Sequence, residues 1–302
     1  MSSTMNKGIV SKTILWDISL LLVAMVWGGG FVVTKNALAA ITPLYFLSFR
    51  FMIAGLLMVL VFFPRVRKAS MKDIKNSCIV GIFLTLGFIT QTIGANYTTP
   101  AKSSFITGLN VVLVPFVLMA ITRKFPGKKA IFTAFIAFAG MSLLSLNEAL
   151  SLGIGDILTL MCAFFYACHI VSIGYFANKL DTYVLAAVQV LFTGVCCTVL
   201  AIIFEPAPAA INAGVWSGIL YSALLSTLAA FLIQNLAQKN TPSTHAAIIL
   251  CLESVFGAVA SVIFWHEIMT VKMIFGCVMI FAAILVNEVD ITALFGKKKV
   301  SD

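Results

Sequence analysis

The sequence predicts an all-α polytopic membrane protein with ten transmembrane helices, arranged as two inverted five-helix repeats. Three observations support this: the composition, the spacing of the apolar runs and a weak internal repeat. Of the 302 residues, 61% are hydrophobic and only 10% are charged, and the mean hydropathy is +1.07. Soluble domains are about 45–50% apolar and about 25% charged. Because no soluble core could bury so much apolar surface, the composition excludes a soluble enzyme, a nucleic-acid binder and a disordered protein.

Ten apolar runs follow one another along the chain. Most are close to the roughly 20 residues that cross a bilayer as a helix, and they lack the alternating pattern of β-barrel spans. The predicted spans are 14–33, 43–63, 74–97, 101–121, 129–146, 155–176, 183–204, 214–237, 244–265 and 271–289. Connections such as 98–100 and 240–242 are so short that the helices they join are expected to be antiparallel neighbours.

Lys and Arg residues concentrate in alternate connections. With the N-terminus inside the cell, sixteen of the 20 fall on the cytoplasmic side, three fall outside, and Arg50 lies within a span. This bias predicts that both termini are cytoplasmic and that the protein lies in the plasma or inner membrane. The net charge of +9 is therefore interpreted as topology and not as a sign of a nucleic-acid partner.

A weak internal repeat divides the chain into two halves. Asp17-Ile18 matches Asp156-Ile157 at an offset of 139 residues, which also places Trp27 on Tyr166, Arg50 on Gln189 and Gly55 on Gly194. The offset grows to 142 where Thr99-Pro100 matches Thr241-Pro242 and Asn110 matches Leu252. Because each half has five helices, the sixth begins on the opposite side from the first, so the halves are predicted to be inverted, as in secondary transporters.

The predicted divisions follow from this repeat. They are a cytoplasmic N-terminus at 1–13, a first repeat at 14–147, an outer loop at 148–154, a second repeat at 155–289 and a basic cytoplasmic tail at 290–302.

Several residues in this frame resemble the pattern of one family. They are Trp27-Gly28 in the first helix, Arg50 in the second, Pro115 in the fourth, and Leu252-Glu253-Ser254 in the ninth, with Glu267 just beyond the membrane. With the layout of five plus five helices, they resemble the EamA-type branch of the drug/metabolite transporter superfamily. Ser254 departs from the pattern, since many members have proline there. The resemblance implies an export-leaning permease for small metabolites, often amino acids or drugs, with a central cavity lined by both halves.

Glu253 lies near the centre of the ninth span between apolar neighbours. A charge at the bilayer centre costs about 3 kcal/mol or more. The carboxyl group must therefore be protonated or find a cationic or hydrogen-bonding partner. It is a candidate proton site or a ligand for a substrate amine, and a structural acceptor is the alternative.

Polar residues of the third, fourth and eighth spans are candidates for a cavity wall. Ser103, Thr107 and Asn110 share one helix face because they recur at i, i+4 and i+7. Gln91 and Gln234 are deep enough to face the same space. The alternative is that these side chains join helices to one another, as Ser, Thr and Asn commonly do.

Aromatic and basic residues near mid-depth complete the set. Trp27 and Tyr166 lie away from the membrane interfaces, where aromatic belts are usually found. Their position suits contact with an amphipathic substrate, and packing in the protein core is an equally good explanation. His169 is a candidate proton relay or a buried structural group, and Arg50 and Gln189 are interpreted as gating or structural residues. The predicted substrate cavity is lined by Trp27, Gln91, Thr107, Asn110, Tyr166, His169, Gln234 and Glu253.

No Ser-His-Asp arrangement, phosphate-binding glycine loop or metal-ligand spacing occurs in the sequence, so we expect no enzyme, cofactor or metal. The predicted function is secondary active export of small organic metabolites by alternating access, with amino acids or related compounds as the first candidates. The alternatives are a multidrug or nucleoside-like metabolite permease and, in a different class, a non-transporting scaffold or a membrane enzyme. The expected partners are a small-molecule substrate and the lipid bilayer. Protons are a candidate coupling ion, and a homodimer is a candidate assembly.

Overall fold

The computed structural model describes residues 2–125, 127–145, 153–208, 210–266, 268 and 270–288. These residues form α-helices and one π-helical segment, and they contain no β-strand. Most of the predicted outer loop, Glu267 and the predicted basic tail lie outside the described residues.

Helices occupy all ten predicted spans. The first half contains Ser2–Ala37 (α1), Pro43–Val61 (α2), Phe63–Val66 (α3), Met71–Ala95 (α4), Pro100–Gly108 (α5), Asn110–Thr122 (α6) and Lys128–Ser145 (α7). The second half contains Ile154–Phe176 (α8), Thr182–Phe204 (α9), Ala213–Ala223 (α10), the π-helical segment Leu224–Ala229, Ala230–Gln238 (α11), Ser243–Leu250 (α12), Glu253–Trp265 (α13) and Val271–Glu288 (α14). Eight of the predicted spans are long and apolar enough to cross a membrane. For α7 and α14, at the fifth and tenth positions, the crossing stays a prediction.

The outer surface of the bundle is strongly apolar. Leu60 is 71% exposed, Ile202 68% and Phe132 60%. Soluble monomers rarely expose contiguous apolar patches of more than a few hundred Å², whereas a bilayer accepts such a surface and favours helices, which satisfy their own backbone groups. The chain is therefore a multi-pass α-helical membrane protein.

The two halves pack against each other through helix contacts that are equivalent in the internal repeat. Helix α1 packs on α13 while α8 packs on α5 and α6, and α2 packs on α10 while α4 packs on α9. The predicted repeat mates Gly55 and Gly194 lie at the α2–α9 contact. A Cβ atom on Gly55 would lie 2.6 Å from the Leu191 Cα, and one on Gly194 would lie 2.9 Å from the Met52 nitrogen. Glycine at both positions lets the two backbones approach closely.

Three helices that the sequence predicts as continuous are interrupted. The fourth span breaks at Leu109, the ninth breaks at Cys251 and Leu252, and the eighth contains the π-helical segment. At the breaks in the fourth and ninth spans a backbone N–H bonds three residues back instead of four, from Leu109 to Ile106 and from Leu252 to Ile249, both at 3.1 Å. Hydropathy cannot detect such a turn, because the apolar run continues through it.

The break in the ninth span forms without the proline that the resemblance implies. Ser254 stands at that position, and its hydroxyl donates to the Ser104 carbonyl at 2.9 Å, which ties α13 to α5. The breaks also correct the register of the internal repeat. Asn110 and Glu253 are the first residues of α6 and α13, so Asn110 corresponds to Glu253 and not to Leu252. The reason is one additional residue between Pro242 and the break.

Candidate substrate cavity

A cavity of about 60 Å³ lies between the two halves, with room for several water molecules or a small organic group. Both halves line it, and its wall includes Trp27, Phe31, Lys35, Arg50, Phe88, Gln91, Ser103, Asn110, Tyr166, His169, Ser226, Phe231, Gln234 and Glu253. Among the described residues, no three His, Cys, Asp or Glu side chains come together as a metal site.

Seven of the eight predicted cavity residues line this space, and Thr107 does not. Thr107 is fully buried behind the wall, where its hydroxyl accepts a hydrogen bond from Gln91 Nε2 at 3.1 Å. Of the two predicted gating or structural residues, Arg50 lines the cavity and Gln189 lies behind His169.

The Arg50 guanidinium is held by hydrogen bonds to the eighth span. Its Nε donates to Thr227 Oγ1 at 2.6 Å, and its Nη2 donates to Ser226 Oγ at 3.1 Å. Its Cζ atom lies 4.5 Å from the centre of the Phe88 ring, a distance typical of a cation–π contact. The side chain is 4% exposed, and no carboxylate among the described residues pairs with it. Its Nη1 donates no hydrogen bond within the described chain, which leaves two N–H groups for a ligand.

The π-helical segment shapes the Arg50 site. It contains Ser226 and Thr227, and the Ser226 carbonyl accepts hydrogen bonds from Trp27 Nε1 at 2.9 Å and from Arg50 Nη2 at 3.3 Å. In a regular α-helix a carbonyl at mid-helix is engaged within the helix, while π-helical turns are frequent at functional sites. The interruption thus makes backbone as well as side-chain acceptors available to α1 and α2.

Glu253 supplies a carboxyl group on a different wall. It begins α13, which packs on α1 and α5, whereas Arg50 belongs to α2, which packs on α4, α9 and α10. The Glu253 side chain is 6% exposed, and within the described part of the chain it has neither a cationic partner nor a hydrogen-bond donor. One cavity therefore holds a buried cation and a buried acid that do not neutralise each other.

Three further polar atoms of the wall have no protein partner among the described residues. They are Ser103 Oγ, Asn110 Oδ1 and Gln234 Oε1, each buried. Leaving such an atom unpaired in a protein interior costs about 1–3 kcal/mol. All three residues line the cavity, so a small shift of these side chains toward bound water or a solute would supply the missing partner.

Two chains of hydrogen bonds hold the aromatic and histidine side chains in place. Tyr166 donates to Gln91 Oε1 at 3.0 Å, and the Gln91 amide continues to Thr107. On the other side, His169 Nε2 lies 2.8 Å from Gln189 Oε1, and Gln189 Nε2 donates to Asn235 Oδ1 at 3.0 Å. Since the Gln189 oxygen can only accept, His169 carries its proton on Nε2.

Sequence reasoning missed the wall residues Ser226, Phe88 and Phe231, and also Thr227, which lies behind the wall and binds Arg50. Ser226 and Thr227 are adjacent polar residues near the middle of the eighth span, and this depth is the signal that could have identified them. Phe88 and Phe231 gave no such signal, because a phenylalanine in an apolar run looks the same whether it faces lipid or a cavity. Gln238, which shares a helix face with Gln234, instead donates to the Ile170 carbonyl at 2.9 Å and joins α11 to α8.

Comparisons with known proteins agree with this architecture. A family model described as the EamA-like transporter family matches residues 14–146 and 153–288. An "Uncharacterized transporter" of Archaeoglobus fulgidus is 34% identical over 91% of this chain and 86% of its own length. The "Uncharacterized transporter YvbV" of Bacillus subtilis is 26% identical over 89% of this chain and 90% of its own length. A solved crystal structure with 16% identity covers 92% of this chain and 96% of its own with a TM-score of 0.74, a similarity of fold alone.

Proposed function

We propose that this chain, which belongs to the EamA-like transporter family, exports small organic metabolites that carry both an acidic and a basic group, with amino acids as the first candidates. The family makes the chain a membrane transporter. The substrate class, the outward direction and alternating access between inverted halves are our proposal. So is an orientation with both termini in the cytoplasm, which the Lys and Arg distribution supports.

The observation that carries the proposal is the unpaired Arg50 and Glu253 in one buried cavity. Burying two ionisable groups that have no ion-pair partner is costly. A zwitterion relieves both costs at once, since its carboxylate accepts from the free Nη1 of Arg50 and its ammonium group donates to Glu253. The guanidinium suits this role because Nη1 keeps two N–H donors for a carboxylate while Nε and Nη2 bond the eighth span.

Glu253 also supports proton coupling. A single carboxylate can hold either a proton or a substrate amine, but not both in the same place. We take the protein to change its open side only when Glu253 holds either a proton or a substrate amine. The substrate is then carried outward and released, and a proton bound from outside is carried inward when the empty protein returns. Export driven by proton entry follows from this competition.

A matched set of three compounds tests the substrate class. Purified protein in proteoliposomes is first screened for counterflow of radiolabelled amino acids, and the best one is compared with its decarboxylated amine and its deaminated acid. We expect the amino acid to exchange and each single-charge analogue to compete at least about tenfold more weakly, because it leaves one buried charge unpaired. Equal competition by the amine would show that Arg50 does not bind the substrate.

The aromatic wall favours one second candidate. Trp27 and Phe231 lie 5.3 Å apart between ring centres, and Phe88 lies 5.9 Å from Phe231. Such a cluster also suits a planar cationic drug or a nucleoside. Exchange of these compounds, with no exchange of any amino acid, would replace the zwitterion proposal with this one.

A further inference from the structure

Three ion pairs among the described residues join the halves of the protein, and two of them involve helices that line the cavity. Asp17 Oδ1 of α1 lies 3.0 Å from His245 Nε2 of α12, and Asp156 Oδ2 of α8 lies 2.6 Å from Lys102 Nζ of α5. Asp156 is 4% exposed and its partner Lys102 is 35% exposed, while Asp17 and His245 are 19% and 15% exposed. The other ion pair found among the described residues, Arg65 with Asp181, is exposed at 53% and 38%.

The Asp17–His245 and Lys102–Asp156 pairs lie at opposite ends of the cavity. Lys35, near the end of α1, donates to the carbonyls of Ala95 at 2.6 Å and Thr98 at 3.0 Å. The Thr98 hydroxyl in turn donates to Asp156 Oδ1 at 3.2 Å, so Lys35 marks the end that holds the Lys102–Asp156 pair. Asp17 lies 18 residues before Lys35 in the same helix, about 27 Å away along its axis.

The pairs are also equivalent within the internal repeat. Asp17 precedes Trp27 by ten residues, as Asp156 precedes Tyr166 by ten, and each of these aromatic side chains lines the cavity. His245 precedes Glu253 by eight residues, and Lys102 precedes Asn110 by eight. Each pair therefore joins the first helix of one half to the interrupted helix of the other.

The space beside the two pairs differs. The cavity reaches Lys35, Ala95 and Pro100, close to the Lys102–Asp156 pair. At the other end, between the Asp17–His245 pair and the cavity, a cluster of buried apolar side chains fills the bundle, including Leu20, Val23, Ala24, Ala247 and Ile248. The end near Asp17 is thus the more tightly closed one in this structure.

We propose that the Asp17–His245 and Lys102–Asp156 pairs are latches that close opposite ends of the cavity and break in alternation. The proposal rests on the proposed alternating access, which requires one end to be closed while the other opens. A pair that bridges the halves holds them together when formed. When its end opens, water reaches the buried partner of the pair and offsets much of the lost attraction. The Asp17–His245 contact is an ion pair when the imidazole is protonated and otherwise a hydrogen bond. Equivalent pairs at both ends give the cycle two comparable closed states.

Side-specific labelling of the cavity tests this without any substrate. Leu250 lines the cavity at mid-depth, so Leu250→Cys is introduced into a chain whose seven natural cysteines are replaced by alanine. In right-side-out and inside-out vesicles, a membrane-impermeant maleimide then reports access from each face. Asp17→Asn should raise labelling from the face nearer Asp17 by about fivefold, and Lys102→Met should raise it from the opposite face, since losing about 1 kcal/mol shifts an equilibrium about fivefold.

Control variants separate a latch from a merely structural bond. Lys102→Arg and Asp17→Glu keep the charges and should label like the parent chain, and so should Arg65→Gln, which removes only the exposed pair. If Asp17→Asn and Lys102→Met lower the melting temperature but leave labelling from both faces unchanged, the pairs are structural pins and the proposal is overturned.

A second measurement applies to the chain with its natural cysteines. Hydrogen exchange should rise around 15–24 and 243–250 in Asp17→Asn, and around 98–104 and 153–160 in Lys102→Met. Faster exchange at both ends in each variant would indicate general loosening and would refute alternation. If labelling responds as expected while no amino acid exchanges, the latches stand and the proposed substrate fails.

Discussion

Asn110 and Glu253 occupy equivalent positions in the two halves, 143 residues apart. Each is the first residue after the break in an interrupted helix, and each lines the cavity. The helices that they begin also end alike, at Arg123 and His266, both left-handed with φ of 56° and 53°. One half therefore presents a neutral amide where the other presents a carboxyl group. The cavity is symmetric in backbone and asymmetric in chemistry.

Glu253→Gln keeps the shape of the side chain and removes its charge. If Glu253 binds the substrate amine, affinity for the transported amino acid should fall by about tenfold or more, the worth of a charge-assisted hydrogen bond. Equilibrium binding to detergent-solubilised protein measures this change.

The same variant distinguishes the other roles of Glu253. If the carboxylate is the coupling site, proton-driven accumulation in proteoliposomes should be abolished while exchange of substrate for substrate continues. Unchanged affinity, accumulation and pH dependence in Glu253→Gln would leave only a structural role.

Asn110→Leu tests the cavity wall directly. Since Asn110 Oδ1 has no hydrogen-bond partner in the described chain, the change should reduce flux severely while the melting temperature in detergent stays close to that of the parent. The matched control is Thr107→Val, because Thr107 does accept a bond from Gln91 and its loss should lower stability by about 1 kcal/mol. A fully active Asn110→Leu protein would remove Asn110 from the substrate path.

Arg50→Lys keeps the positive charge but removes the planar guanidinium group and its five N–H donors. A lysine ammonium has three N–H donors, too few to bond Thr227 and Ser226 as the guanidinium does and also offer two donors to a carboxylate. We expect affinity for the amino acid to fall by about tenfold or more, with little change in the affinity for its decarboxylated amine. Arg65→Lys, at the exposed pair, serves as control. Equal losses for the two ligands would argue that Arg50 supports the fold and not the substrate.

Gly28→Ala tests the contact that positions Glu253. A Cβ atom on Gly28 would lie 2.5 Å from the Phe256 Cβ and 2.7 Å from the Gly257 nitrogen, so α1 and α13 would have to separate. We expect a loss of about 1–3 kcal/mol in stability, as for other overpacked sites, together with reduced flux. At Gly218 the nearest atom would be 3.4 Å away, so Gly218→Ala should melt like the parent. Similar melting temperatures for both variants would contradict the close packing.

Cysteine labelling tests the orientation. Cysteines placed at Lys68 and Lys128, both exposed, should react only from the cytoplasm, because they lie in basic connections. A cysteine at Asn147, which lies outside the described residues, should react only from the other side. Labelling of the Lys128 and Asn147 positions from the same side would refute the ten-helix, inverted arrangement.

The positions of the helices and several polar residues of the wall were readable from single-helix properties. An apolar run of about 20 residues reports a span, and a polar group at mid-depth is too costly to face lipid. On this basis alone Gln91, Asn110, Gln234 and Glu253 could be expected to face protein or water. The same reasoning could not separate a side chain that faces a cavity from one that bonds a neighbouring helix, which is the difference between Asn110 and Thr107.

The partners of these residues depend on which helices meet, and only the tertiary structure decides that. Asp17 and His245 are 228 residues apart, and Arg50 and Thr227 are 177 apart, so no local pattern joins them. The helix breaks and the π-helical segment are invisible to hydropathy because they exchange backbone hydrogen bonds without changing the apolar character of the run. The sequence by itself thus determined a membrane-embedded bundle with costly polar residues at mid-depth. Packing decided which of them share one cavity, because burial of a polar group requires a partner but does not specify which one.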